Sequence, residues 1–175
     1  MYSFPESDVT EIMPNLWLGN CKAAYDRGFL YKYKIDVIIT IREEFDQTKR
    51  VNGIKYIIVP VKDTHTCNIN FIPIFDKLSS IINTSLKNNK GVLVHCKNGH
   101  HRSAAVIAAY MIKYVNYDYL NAIQRIKKLR PNSLKDKKCI LEWLFKYYLH
   151  LHNIKNCNIQ CYSDNGLYRC VCVNR

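Results

Sequence analysis

Long apolar runs and a recognisable secretory leader are missing from this sequence. No stretch of about 18 or more apolar residues occurs in the 175-residue chain, which argues against a transmembrane helix. The opening residues, MYSFPESDVTEIMPNLW, contain acids and a proline where a secretory signal would have a basic flank and an apolar core. We therefore expect a soluble, intracellular protein, cytoplasmic or nuclear, whose length suits one main domain.

Acidic residues are also scarce. The sequence has 14 Asp and Glu residues against 26 Lys and Arg residues, and its formal net charge is +12. Such a charge predicts attraction to polyanions, and phosphorylated proteins, nucleic acid and anionic membrane surfaces are all candidate partners. Denser basic groups lie at 32–34, 125–130 and 135–138, where solvated helix faces are the alternative explanation.

The segment 92–112 joins an apolar run to an alanine-rich helical pattern through a polar loop. Residues 92–94 are typical of a buried strand, and residues 103–111 are typical of a buried helix. Cys96 lies between them, where backbone N–H groups and the positive end of the helix dipole favour an anion. This position is expected to make the thiol of Cys96 acidic.

The six residues that follow Cys96 contain no carboxylate. These residues are Lys97, Asn98, Gly99, His100, His101 and Arg102. Gly99 allows the positive φ that a tight loop needs, and Arg102 offers a planar guanidinium that can hold two phosphate oxygens. We predict that this loop binds a tetrahedral oxyanion. The alternative, an inert buried thiol at Cys96, leaves the acid-free basic loop unexplained.

His95, Cys96, five further residues, Arg102 and Ser103 resemble the signature of cysteine-dependent phosphatases of the protein tyrosine and dual-specificity type. The resemblance covers about residues 9 to 151. It implies that Cys96 is the nucleophile, that Arg102 binds phosphate, that Ser103 assists departure of the thiolate and that His95 orders the loop. The Lys- and Tyr-rich, glycine-poor composition is similar to that of small phosphatases encoded by large DNA viruses.

The leaving oxygen of a phosphate ester needs a proton donor. Between Glu44 and the loop, the carboxylates are Asp46, Asp63 and Asp76. Asp76 falls in a helical pattern and Asp46 in a polar connection, whereas Asp63 follows a predicted strand and precedes Cys96 by 33 residues. In the resembled family the general acid lies on such a loop, about thirty residues before the cysteine. Asp63 is therefore the predicted general acid, and a turn-capping role is its alternative.

Apolar runs separated by helical or polar segments predict an α/β fold, with a central, mostly parallel sheet flanked by helices. The predicted strands are an opening pair within 9–20, then 37–41, 56–59 and 92–94. The predicted helices cover 71–86, 103–111, 118–130 and 137–152. The ending Arg130-Pro131 resembles that of the family, but the family's later Pro-Asn pair is not clearly reproduced, because Asn132 follows Pro131 directly. Its loop-bracing role is therefore unassigned.

We expect a catalytic domain at residues 1–152 and a Cys-rich tail at 153–175 that the family does not explain. The tail contains four of the eight cysteines, namely Cys157, Cys161, Cys170 and Cys172. These cysteines could hold zinc as thiolates or form two disulfides under oxidation. For the tail as a whole, the alternatives are a bound metal, a packed β-hairpin around residues 164–166 and a loose tail. A reducing compartment is nonetheless expected, because Cys96 has to remain a thiol.

The expected activity is hydrolysis of phosphate monoesters on phosphotyrosine and phosphoserine or phosphothreonine proteins. The resemblance implies a phosphocysteine intermediate and no metal or other cofactor. Lys97, His100 and His101 add positive charge of the kind found in phosphatases that act on phosphoinositides, and RNA 5′-phosphates are a further candidate substrate. A non-catalytic phosphate-binding module is the remaining alternative.

Overall fold

The computed structural model describes residues 7–62, 67–135, 138–164 and 167–173. The first half contains β1 (Val9–Met13), β2 (Leu16–Gly19), α1 (Arg27–Lys32), β3 (Ile35–Ile41), β4 (Lys55–Val59) and α2 (Ile72–Lys87). The second half contains β5 (Gly91–His95), α3 (Arg102–Val115), α4 (Tyr119–Leu129), α5 (Lys138–Leu151), β6 (Asn158–Asp164) and β7 (Leu167–Val173). Each strand and helix predicted from the sequence is present, with ends that differ by a few residues.

Five strands form one sheet in the order β1-β2-β5-β3-β4. The β1–β2 pair is antiparallel, and the other pairs in this sheet are parallel. Strand β5 lies in the middle and is buried along its whole length, as expected for an apolar strand covered on both faces. The predicted α/β fold with a mostly parallel sheet is confirmed.

Side chains of β5 alternate between two apolar clusters because successive residues of a strand point to opposite faces. Val92 and Val94 join the larger cluster, to which α2, α3, α4 and α5 contribute. Leu93 joins a smaller cluster on the other face, with Trp17 and Phe29. Helix α3 is buried along most of its length, so the loop before it is fixed between a central strand and a central helix.

The tail forms a two-stranded antiparallel hairpin of β6 and β7, which was one of its three predicted forms. Disulfides join Cys157 to Cys172 and Cys161 to Cys170, and a third disulfide joins Cys67 to Cys139. A disulfide sulfur has no thiolate to offer a metal, and the described residues contain no group of three or more potential metal ligands. The zinc alternative for the tail therefore has no support in the structure.

The hairpin is not detached from the rest of the molecule. Cys170 is 3% exposed and belongs to the larger core cluster, against which Cys157, Ile159 and Cys161 also pack.

Among the described residues, no helix is both long and apolar enough to cross a membrane.

Candidate active site

The loop 96–101 lies at the carboxyl edge of the sheet, between the end of β5 and the start of α3. It borders the ends of two neighbouring strands, because His95 is in register with Gly19 of β2 and Thr40 of β3. Cys96 and Arg102 are 2% and 4% exposed, and Ser103 is fully buried. The thiol of Cys96, the guanidinium of Arg102 and the hydroxyl of Ser103 therefore lie together at one enclosed end of α3.

Donor groups of Gly99 and Ser103 point at the sulfur of Cys96. The Gly99 amide and the Ser103 hydroxyl each donate to Cys96 Sγ at 3.3 Å. Burial raises the pKa of the Cys96 thiol, but the Ser103 hydroxyl and amide, the Arg102 charge and the Gly99 amide together lower it below its ordinary value. The site therefore favours a thiolate at Cys96.

Gly99 is the one residue of the loop whose backbone requires glycine. Its φ is +69°, and a Cβ placed there would lie 2.5 Å from the carbonyl oxygen of Gly19. The loop can therefore fold tightly against the turn that follows β2, as the sequence predicted for Gly99.

Carbonyl groups of the loop point away from the thiol and are bound by other segments. The Lys97 carbonyl accepts from the Cys21 amide at 3.2 Å, and the His100 carbonyl accepts from the Leu134 amide at 2.9 Å. The Gly99 carbonyl accepts from Arg130 Nε at 3.0 Å. C=O and N–H point in opposite directions across a trans peptide. Because these carbonyls point outward, the N–H group of each of the same peptides faces inward, toward the side where an oxyanion would bind.

Arg102 is oriented by the segment that follows β4. Its Nη1 atom donates to the Val61 carbonyl at 2.6 Å, and Lys62 forms an ion pair with Glu43 at 2.8 Å. The predicted general acid, Asp63, lies outside the described residues, two positions after Val61.

His95 is buried behind the loop and is not in contact with Cys96 Sγ. Its Nε2 lies 2.8 Å from Thr40 Oγ1, and its Nδ1 lies 3.2 Å from the Cys96 carbonyl. Burial lowers the pKa of His95 to about 4, so the ring is neutral near pH 7. Since a carbonyl only accepts, Nδ1 carries the proton and Nε2 accepts from Thr40. This arrangement fits the loop-ordering role predicted for His95.

The other predicted loop residues lie nearer the surface. Lys97 and Asn98 are exposed, and His100 and His101 are half-buried with their rings in an edge-to-face arrangement at 6.2 Å. Sequence reasoning missed the residues that hold the loop from outside, above all Arg130, which is 1% exposed. The Arg130-Pro131 ending was the available signal, but the sequence did not show that the arginine turns inward.

A buried thiol at a strand-to-helix loop, with a guanidinium closing that loop, defines the class of cysteine-based phosphate-binding α/β domains. The family model for the dual specificity phosphatase catalytic domain matches residues 16–149. This protein belongs to the dual specificity phosphatase family.

Individual relatives agree with the family model. Human dual specificity protein phosphatase 21 is 31% identical over 153 residues, which cover 87% of this chain and 76% of that protein. Dual specificity protein phosphatase 22 of Xenopus tropicalis is 28% identical over 122 residues, covering 70% of this chain. The chain spans 56% of the length of this Xenopus relative and 35% of that of a Dictyostelium discoideum relative.

A crystal structure of human DUSP28 is similar to this fold, with a TM-score of 0.77. The match covers 86% of this chain and 99% of that chain, at 22% sequence identity. At this identity the likeness supports the fold alone.

Proposed function

We propose that this protein hydrolyses phosphate monoesters on phosphotyrosine, phosphoserine and phosphothreonine proteins. The observation that carries the proposal is the polarised thiol: Cys96 Sγ accepts hydrogen bonds from Gly99 and Ser103, and its pKa is lowered although the residue is buried. A binding module needs a cationic cradle for phosphate, whereas a thiolate facing that cradle is useful only to a nucleophile. Membership of the dual specificity phosphatase family supports the same activity.

In the first half-reaction, the Cys96 thiolate attacks phosphorus in line with the leaving oxygen. A sulfur–phosphorus bond forms as the phosphorus–oxygen bond to the substrate breaks. Arg102 and the inward amides of the loop stabilise the charge on the three equatorial oxygens. Asp63 donates a proton to the departing alkoxide or phenoxide.

In the second half-reaction, water attacks the phosphocysteine. The Asp63 carboxylate accepts a proton from that water, and the sulfur–phosphorus bond breaks to release inorganic phosphate. Ser103 is placed to assist, because its hydroxyl donates to the same sulfur that leaves as a thiolate. The proposed cycle thus returns Cys96 to a thiolate and Asp63 to a carboxylic acid, and no step in it uses a metal or another cofactor.

Protein phosphate is the substrate class we propose, because the relatives in this family are named as protein phosphatases. Phosphoinositides and RNA 5′-phosphates fit the net charge of +12 and the exposed Lys97 of the loop, but charge attracts all of these polyanions alike. Phosphoinositides and RNA 5′-phosphates are therefore compared with phosphopeptides as substrates in the experiment below.

We further propose that residues 1–152 are the catalytic unit and that residues 153–175 are an appended hairpin. The proposed place of action is cytoplasmic or nuclear, where Cys96 would stay reduced. The three disulfides oppose a fully reducing setting. Alkylating thiols at the moment of cell lysis and mapping the modified peptides would decide, since an intracellular protein should show labelled rather than paired hairpin cysteines.

Turnover of an aryl phosphate in the presence of a chelator tests the activity. Wild-type protein should release phosphate, Cys96→Ser should not, and Cys21→Ser should match wild type because Cys21 is the other cysteine outside a disulfide. Phosphopeptides, phosphoinositide vesicles and 5′-phosphorylated RNA then compete as substrates at equal concentration. No turnover of any of them by wild-type protein would leave the binding module as the better account, and preference for lipid or RNA would replace the proposed substrate class.

A further inference from the structure

Arg130 is among the largest fully buried side chains of the molecule, although it lies outside the loop 96–101. We infer that Arg130 is a positioning residue, which holds that loop in the conformation that binds an oxyanion. The inference rests on the proposed function, because it concerns the same site.

The guanidinium of Arg130 bridges the loop and the start of the chain. Nε donates to the Gly99 carbonyl at 3.0 Å and Nη2 to the Asn98 carbonyl at 3.5 Å. On its other edge, Nη1 donates to the Ser7 carbonyl at 2.8 Å and to Thr10 Oγ1 at 3.1 Å. One planar group therefore fixes two consecutive peptides of the loop against β1.

Those two peptides are the ones that matter for the thiol and the oxyanion. The Asn98 carbonyl and the Gly99 amide belong to the same peptide group, and this amide donates to Cys96 Sγ at 3.3 Å. The Gly99 carbonyl belongs to the peptide that carries the His100 amide. No cis peptide occurs in the described residues, so pulling each carbonyl outward turns the matching amide inward.

Backbone amides of Cys21 and Leu134 also anchor the outer side of the loop, and a side-chain substitution does not remove the amide that donates. Arg130 itself is held firmly, because its amide donates to Ile126 at 2.8 Å and its carbonyl accepts from Ser133 at 3.0 Å. The segment from Arg130 to Leu134 thus supplies both a side-chain anchor and a backbone anchor. The inference gives this segment the loop-bracing role that the resemblance to the family leaves unassigned.

Lysine cannot replace this arginine fully. An ammonium group is a single point on a flexible stem, whereas the guanidinium of Arg130 is rigid and planar and donates to acceptors on two of its edges. We therefore expect Arg130→Lys to lie between wild type and Arg130→Met in loop geometry.

The matched control lies on the same helix. Arg125 Nη2 donates to the Ile12 carbonyl of β1 at 3.5 Å. Arg125 is exposed on α4, whereas Arg130 is buried at the end of that helix. Arg125→Met therefore controls for the loss of an arginine and of a contact with β1, while it leaves the loop anchors in place. A difference in Cys96 alkylation or orthovanadate binding between Arg130→Met and Arg125→Met therefore shows the effect of losing the contacts between Arg130 and the loop.

Three quantities are measured for wild type, Arg130→Met, Arg130→Lys and Arg125→Met: the pH dependence of Cys96 alkylation by iodoacetamide, inhibition by orthovanadate, and turnover of an aryl phosphate. Mass spectrometry of the Cys96 peptide separates its alkylation from that of Cys21. We expect Arg130→Met to shift Cys96 alkylation to higher pH and to weaken orthovanadate binding about tenfold or more, since inward amides act on both. Arg125→Met should match wild type.

Wild-type alkylation and orthovanadate binding in Arg130→Met, or equal losses in Arg125→Met, would overturn the inference. If thermal unfolding shows that Arg130→Met is unfolded, Arg130→Lys decides on the same two readouts, and wild-type values there would also overturn it. The proposed function fails separately: a wild-type protein without turnover would refute the activity, while a shifted alkylation profile in the Arg130 variants would still support the positioning role.

Discussion

Cys96 and the hairpin cysteines occupy opposite settings in one molecule. Cys96 is free, buried and bonded to the donors of Gly99 and Ser103. In the hairpin, Cys161 faces Cys170 across β6 and β7, and both are joined by a disulfide. Order at the loop thus depends on hydrogen bonds from neighbouring segments, whereas order in the hairpin also depends on covalent links. A substitution in the loop should therefore leave the stability of the hairpin largely unchanged, and loss of a hairpin disulfide should leave the activity of the loop largely unchanged.

The largest effect is expected at the nucleophile. Cys96→Ser should fold, bind orthovanadate or phosphate and lose turnover by roughly 10⁴-fold or more, because a serine hydroxyl is not ionised in this site. Release of an aryl alcohol from an aryl phosphate measures the loss, and Cys21→Ser is the control. Substantial residual turnover in Cys96→Ser would remove this cysteine as the nucleophile and end the contrast with the hairpin.

The general acid comes next. Asp63→Asn should lose roughly 10²- to 10⁴-fold in rate with poor leaving groups such as alkyl or phenyl phosphates. The loss should shrink with activated aryl phosphates, which depart without a proton, and phosphate binding should survive. Equal impairment on both kinds of ester would indicate a structural role, and an unimpaired variant would direct the search to Asp46.

A smaller effect is expected at Ser103. Because its hydroxyl lowers the pKa of Cys96, Ser103→Ala should raise that pKa, so the rate at low pH falls and recovers as pH increases. One charge-assisted hydrogen bond is worth about 1.5–3 kcal/mol, which corresponds to roughly ten- to a hundredfold in rate below the thiol pKa. The pH dependence of kcat/KM on an aryl phosphate measures it.

Ser79 provides the matched control for this substitution, since it is a fully buried serine on α2. Ser79→Ala should keep the wild-type pH profile. A Ser103→Ala profile with an unmoved acid limb would show that the hydroxyl does not act on the ionisation of Cys96.

The smallest effect on catalysis is expected from the hairpin. The double variant Cys161→Ala/Cys170→Ala should lower the free energy of unfolding by about 2–4 kcal/mol, because it removes a cross-link and part of the core contact of Cys170. Its kcat/KM should equal that of wild type. Thermal unfolding and aryl phosphate turnover measured on one sample check both statements, and a matching loss of activity would couple the two regions.

The sequence predicted best what is local and periodic. Strand β5, helix α3 and the loop between them were recognisable because apolar runs, small helical residues and the spacing of Cys96 and Arg102 are all contiguous in the chain. The positive φ of Gly99 was foreseen for the same reason. The hairpin was foreseen only as one of three forms, since the spacing of four cysteines does not decide between zinc and disulfides.

Contacts between segments that are distant in the chain could not be predicted from the sequence. Arg130 was grouped with basic residues 125–130, where solvated helix faces were the alternative explanation, yet its guanidinium is buried against the loop and Ser7. Nothing in the residue type distinguishes an arginine that turns inward from one that stays in solvent. The disulfide between Cys67 and Cys139 likewise depends on how α5 packs near the segment before α2.

The central claim is that Cys96 becomes covalently phosphorylated during turnover. Rapid acid quenching of wild-type protein with an aryl phosphate, followed by mass spectrometry of the Cys96 peptide, tests it most directly. The account predicts a phosphate adduct on Cys96 at the earliest times, absent from Cys21 and from the Cys96→Ser variant. Steady turnover with no phosphate on Cys96 at any quench time would contradict it.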